Sequence, residues 1–220
     1  MPTTRDRFTT SDGVELSFEV SGGAARPALL LLHGFTGSGD DWKHVFDLET
    51  LARDHRVIQP DARGHGHSEK PEAALTYARC ALDVIELLDH LAIATTRAIG
   101  MSLGAKTLLH LASAHPSRIT AQVLVSASPR IPEGVLDTIR EAGAPIDLDL
   151  DGTRLGAITA RTLVVAGDRD FLYPVELAVE LFRGIREASL YVVPGGGHGP
   201  IFDKEREPFV ARALPFLSTS

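Results

Sequence analysis

Across residues 98–112 the chain reads AIGMSLGAKTLLHLA, where a strand-like apolar run passes directly into a helically spaced one. Ser102 stands on the joint, between Gly100 and Gly104. A sharp strand-to-helix turn strains the residue at its apex and needs small neighbours where the two backbones crowd together. It leaves an exposed Oγ at a helix N-terminus, where free amides and the helix dipole favour negative charge developing on a bound group. That is the setting of a nucleophilic serine. The five letters alone recur by chance, and the same serine also reads as a plain helix N-cap.

A serine nucleophile needs a base, and the base needs an acid to orient it. His198 follows Pro194-Gly195-Gly196-Gly197, a turn flexible enough to bring an imidazole over a sheet edge or to leave it a solvated loop histidine. Asp168 and Asp170 follow the apolar run TLVVAG at 162–167. Either could serve as the acid, and Asp168 could instead cap the loop through backbone hydrogen bonds.

The elements that must position these groups are legible from periodicity. Residues 5–20 alternate about Ser11-Asp12-Gly13, a hairpin signal. Continuous apolar runs follow at 28–32, 56–59, 97–100, 121–126, 162–167 and 189–193, the pattern of strands covered on both faces. Helical patterns lie between or after them at Trp42–Leu51, Ala78–Leu91, Ser102–His115, Val175–Phe182 and Asp203–Leu217. On the second, Ala81, Val84, Ile85, Leu88 and Leu91 share one face, and Arg79, Asp83 and Glu86 lie largely opposite. Such alternation predicts an α/β fold, with a mostly parallel central sheet of about eight strands and helices on both faces. Residues 129–160 break the rhythm with one helix, Glu133–Glu141, and a polar Gly-rich stretch. This segment is expected to form a small helical cap inserted in a single domain spanning residues 1–220.

Composition bounds the function. A 220-residue chain with 44% hydrophobic and 23% charged residues is long enough to fold alone, hiding roughly 70% of its extended surface. A formal net charge of −7, with no Lys/Arg cluster, argues against nucleic acid as a partner. The opening MPTTRDRFTTSDGVEL has no apolar core of signal-peptide length, and ALLLL is far too short to span a bilayer. With a single cysteine, Cys80, inside a helical pattern, the expectation is a soluble cytoplasmic protein with no membrane partner. The short run SLYVV could pair across a dimer, which leaves the oligomeric state open.

Five motifs in order resemble the α/β-hydrolase family and together span essentially the whole chain. Gly100-Met101-Ser102-Leu103-Gly104 resembles its nucleophile elbow, LLLLHGFTGSGDDW at 29–42 its oxyanion loop, and DARGHGHS at 61–68 its D-x-R-G-x-G-x-S turn. VVAGDRD at 164–170 is similar to the acid loop and VVPGGGHG at 192–199 to the histidine loop. The resemblance implies Ser102, Asp170 and His198 as catalytic residues, with G-x-x-D counted from Gly167 selecting Asp170 over Asp168. Because all three follow strands, a parallel sheet would bring them to one rim. It further implies an oxyanion hole made by the backbone N–H groups of Phe35 and Leu103. Phe35 and Met101 could line the acyl pocket, although Met101 equally reads as core packing. Arg130 could contact an anionic substrate group or be a solvated loop charge. Trp42 reads equally as a substrate wall or a core staple.

The reaction so implied is that of a cofactor-independent serine hydrolase acting on a small-molecule carboxylic ester through an acyl-enzyme. Thioesterase, lactonase, perhydrolase and carbon–carbon bond hydrolase chemistry can use the same triad, and a non-catalytic ligand receptor can share the fold. Family members that open epoxides or displace halide use Asp at the elbow, which Ser102 argues against. Asp61, His65 and His67 have a superficially metal-like spacing, but the family's turn accounts for all three, and no metal is expected. No G-x-G-x-x-G opens a helix and no Walker-type loop occurs, so no nucleotide cofactor is expected either.

Overall fold

The computed structural model describes residues 4–218, so residues 1–3 and 219–220 of the expected single domain lie outside it. Fifteen strands and α-helices follow one another. They are β1 (Thr4–Thr9), β2 (Glu15–Ser21), β3 (Ala28–Leu32), α1 (Leu48–Asp54), β4 (Arg56–Pro60), α2 (Tyr77–His90), β5 (Thr96–Met101) and α3 (Leu103–Ala114). Then come β6 (Ile119–Val125), α4 (Glu133–Glu141), α5 (Gly152–Gly156), β7 (Arg161–Gly167), α6 (Val175–Gly184), β8 (Ala188–Val193) and α7 (Arg206–Ser218). The eight strands form one sheet in the order β1-β2-β4-β3-β5-β6-β7-β8. The β1–β2 hairpin and the β2–β4 pair are antiparallel, and every other pair is parallel. Gly13, at φ 85°, supplies the positive angle that turns the hairpin.

Alternate residues of each parallel strand feed two cores. Leu30, Leu32, Ile58, Ala98, Leu124 and Val164 face α2, α3 and α6. Leu29, Leu31, Val57, Ile99, Val123 and Val165 face α1 and α7. Both faces are therefore dry, which is why the strand sequences are continuously apolar instead of alternating. Trp42 belongs to the second core, 2% exposed and stacked on Phe46 at 5.9 Å between ring centroids.

Two local expectations are corrected. The pattern at Trp42–Leu51 is not one helix: a 3₁₀ turn occupies Gly39–His44, and α1 begins afresh at Leu48. Asp47 causes the restart, because its carboxylate accepts the Thr50 N–H at 3.2 Å and caps the new helix. Asp83 does not lie on a solvated face of α2. It is buried, and both of its oxygens accept from Arg63, each at 2.6 Å. Asp12 takes the other side of the same guanidinium, and its carboxyl is held down to about 2 by the hydrogen bond from Arg63. The pairing ties the 61–68 turn to α2.

Residues 129–160 contain α4, an isolated bridge between Arg130 and Asp149, and the short helix α5, which periodicity did not reveal. Ile139 of α4 packs on Tyr173 and Leu177, so the segment lies against the chain that leaves the C-terminal end of β7. Asp147 accepts the N–H groups of Tyr77 and Ala78 and so anchors the segment to the start of α2. Among the described residues, no helix is long and apolar enough to cross a membrane.

Candidate active site

Ser102 adopts φ 48° and ψ −104°, a conformation that L residues rarely occupy. The surrounding backbone enforces it. The Ser102 N–H donates to Val125 O at 2.9 Å, and the Gly104 N–H donates to His33 O at 3.0 Å. A Cβ on Gly100 would lie 2.6 Å from the backbone of Gly104 and Ala105, and one on Gly104 would lie 2.2 Å from Leu32 O. Only glycine fits either place. Although Ser102 precedes α3, its side chain makes no capping hydrogen bond. Its Oγ lies instead 2.9 Å from His198 Nε2.

His198 Nδ1 lies 2.9 Å from Asp170 Oδ2. A carboxylate only accepts, so Nδ1 carries the proton and Nε2 is free to accept from the serine hydroxyl. The other carboxylate oxygen, Oδ1, accepts the N–H groups of Leu172 at 2.9 Å and Tyr173 at 3.1 Å. Burial pushes the Asp170 carboxyl up. Hydrogen bonding and charge from His198, with the two backbone amides, outweigh burial and hold it below the ordinary value.

The other candidate acid serves a different contact. Asp168 Oδ1 accepts the Gly195 N–H at 2.6 Å, and the Arg169 N–H donates to Gly196 O at 2.8 Å. These bonds lace the loop after β7 to the loop carrying His198. The two pack so closely that a Cβ on Gly167 would fall 2.2 Å from Gly196 O. Ser126, at φ 51°, adds a third fastening, its Oγ accepting the Gly199 N–H at 2.9 Å. Neither Ser126 nor Tyr173 was singled out from sequence. Ser126 directly follows β6 as Ser102 directly follows β5, which was the available signal.

The 33–36 loop lies against Ser102, since a Cβ on Gly34 would stand 3.8 Å from Ser102 Cβ and 3.5 Å from Met101 Cε. Buried His33 holds the loop in place. Its Nδ1 donates to Gly34 O at 2.7 Å and its Nε2 accepts the Ala62 N–H at 3.0 Å. The bond that Nε2 accepts requires the neutral ring, and burial lowers the pKa in that direction. Asp61 braces the same region by accepting N–H groups from Gly39 and His67, both at 2.8 Å. The rings of Phe35 and His65 meet edge to face at 5.2 Å. Among the described residues, no hydrogen bond engages the N–H of Phe35 or of Leu103.

Met101 reaches between this loop and the histidine loop, since a Cβ on Gly199 would fall 2.7 Å from its Cε. Arg130 is half-exposed and ion-paired with Glu180 of α6, so an anionic substrate group would have to compete with that carboxylate. A cavity of about 540 Å³ opens beside Phe35, between residues 63–75 and Ala142-Gly143.

Sheet order, elbow and loops define an α/β-hydrolase architecture, and the profile of the alpha/beta hydrolase fold family matches residues 27–154. The chain belongs to that family. It is 30% identical over 258 residues to a Variovorax paradoxus protein provisionally named a carbamate hydrolase, RutD, covering 90% of this chain and 96% of the relative. It is 35% identical over 124 residues to a Bacillus subtilis protein provisionally named 2-succinyl-6-hydroxy-2,4-cyclohexadiene-1-carboxylate synthase, covering 56% of this chain and only 44% of that relative. The structure of a hydrolase from Pseudomonas aeruginosa superposes with a TM-score of 0.84 at 26% identity, covering 98% of this chain and 99% of that one.

Proposed function

We propose that this hydrolase cleaves carboxylic esters of small molecules by nucleophilic catalysis through Ser102. The observation that carries the reading is the continuous hydrogen-bonded path from Ser102 Oγ through the His198 ring to Asp170, 2.9 Å at each step. Ser102 Oγ attacks the acyl carbon while His198 Nε2 takes the hydroxyl proton. The Phe35 and Leu103 N–H groups hold the oxyanion, a role that fits two amides without other partners beside the serine. Collapse breaks the bond to the alcohol, which leaves with the proton from His198. Water then attacks the acyl-enzyme, giving its proton to His198, and release of the acid returns that proton to Ser102.

Asp170 supplies orientation and charge, holding Nδ1 protonated and stabilising the imidazolium between steps. We take residues 129–160 as the cap of a single domain, with the cavity beside Phe35 as the place for part of the substrate and Met101 as a wall of the site. The single free cysteine, buried Cys80 with its thiol pushed up to about 12 by burial, fits a reducing cytoplasmic setting. The name carried by the Variovorax relative makes carbamates a worthwhile second substrate class.

The test is a panel of p-nitrophenyl esters of graded acyl length, run beside a carbamate, a thioester and a lactone, with a fluorophosphonate probe. Turnover of the esters and labelling that disappears in Ser102→Ala support the reading. Labelling of the Ser102→Ala variant, or turnover unchanged by it, would sink it.

A further inference from the structure

Lys106 lies one turn beyond Ser102 on α3, and its N–H donates to Ser102 O at 3.0 Å. Its side chain is only 2% exposed. The residues around it on the same helix, Ala105, Leu108 and Leu109, are buried and apolar. An amine there loses its hydration, and an aliphatic side chain would fill the place at lower cost. The partner it does find is a phenol, not a carboxylate: Nζ donates to Tyr173 Oη. Nζ also lies 4.0 Å from the centroid of the Tyr173 ring and 5.4 Å from that of Tyr77, in reach of both π faces.

Tyr173 joins Lys106 to the reacting groups in two further ways. Its backbone N–H donates to Asp170 Oδ1 at 3.1 Å, and its ring centroid lies 5.5 Å from that of His198. We propose that Lys106 is a positioning residue: by clamping Tyr173 it holds the Asp170 carboxylate and the His198 ring in register with Ser102. The kinetic consequences rest on the hydrolase reading above. The structural consequence, a loop at 170–173 fastened from below by a buried amine, does not.

The amine also carries charge into this part of the site. Tyr77 faces it from α2, and Tyr173 and Asp170 face it from the chain between β7 and α6. Asp147 and Cys80 stand beyond Tyr77, and the Asp147 carboxylate is already engaged by the N–H groups of Tyr77 and Ala78. His198 in turn faces Ser102, Asp170 and the rings of Phe171 and Tyr173. Burial pushes the Lys106 ammonium down to about 7 against the pull of the Asp170 charge. Below neutral pH the amine is a cation facing the Asp170 carboxylate.

Wild type is compared with Lys106→Met, Lys106→Arg and Tyr173→Phe by two readouts. The first is amide hydrogen exchange by NMR at Leu172 and Tyr173, the two donors to Asp170. Exchange there is expected to quicken by about tenfold in Lys106→Met and Tyr173→Phe, with the β5 and β6 amides unchanged. The second is the pH profile for p-nitrophenyl acetate. kcat should fall by about tenfold in both variants with KM within about twofold, because the clamp orients reacting groups and does not bind substrate. In Lys106→Arg, which keeps an N–H donor for Tyr173 Oη, exchange and kcat should both return toward wild type. Unchanged exchange in both clamp variants overturns the proposal, as does a Lys106→Met profile that superposes on wild type. If wild type hydrolyses no ester, the hydrolase reading fails, and the exchange rates alone decide the clamp.

Discussion

Asp168 and Gly195 are joined by a 2.6 Å hydrogen bond between carboxylate and backbone N–H, and the bond carries one loop of the site across to the other. Two residues further on, Asp170 reaches His198. Neighbouring carboxylates thus have separate duties, one fastening the loops and one facing the imidazole, and exchanging each for an amide separates them. Asp170→Asn presents an N–H to Nδ1 and favours the wrong tautomer, so kcat should fall by up to about 10⁴-fold in steady-state assays. Asp168→Asn should keep most of kcat and lose about 1 kcal/mol of stability in urea denaturation.

Ser102→Ala removes the hydroxyl and leaves the elbow's backbone bonds to Val125 and His33 in place. Ester turnover is expected to drop by at least about 10⁴-fold. The far-ultraviolet circular dichroism spectrum and the denaturation midpoint should stay close to wild type.

Gly104→Ala places a methyl 2.2 Å from Leu32 O, and both groups belong to fixed backbone, not to a yielding side chain. The elbow must open. The variant should lose on the order of 3 kcal/mol of stability and most of its activity, whereas Gly134→Ala, where a Cβ meets nothing within 4 Å, should keep both.

Lys106 makes stability depend on pH in a calculable direction. Its folded value, about 7, lies below the roughly 10.4 of an unfolded lysine. Between the two, the unfolded chain holds a proton that the folded chain has released, so stability rises with pH across that window. Below pH 7 the folded state carries the full cost of the buried charge. The stability difference between wild type and Lys106→Met, measured in urea from pH 6 to 10, should therefore favour the methionine variant most at the acid end and shrink as pH rises. A difference that does not vary with pH would show that the amine is not titrating there.

Much of the architecture is legible without coordinates because it is local. Periodicity marks β3 to β7 since each is buried on both faces, and Asp12-Gly13 marks the hairpin since few other pairs turn it. The split at Asp47 is harder to see: the apolar spacing of Trp42–Leu51 continues across it, and a capping bond to Thr50 decides the break. Asp83 reads as a surface charge from its helical position alone. What buries it is an arginine contributed by a turn 20 residues earlier.

The amino-acid sequence by itself determined that a serine would sit at a strained strand-to-helix turn flanked by obligatory glycines, with acidic and histidine loops following later strands. Those features depend on residues adjacent in the chain. Only the tertiary structure decided that Asp168 fastens the histidine loop through Gly195, that Ser126 and His33 brace the surrounding loops, and that Lys106 and Tyr173 lie beneath the acid. These contacts join residues separated by up to 73 positions, and their hydrogen bonds form only when the parallel strands deliver their ends to one rim.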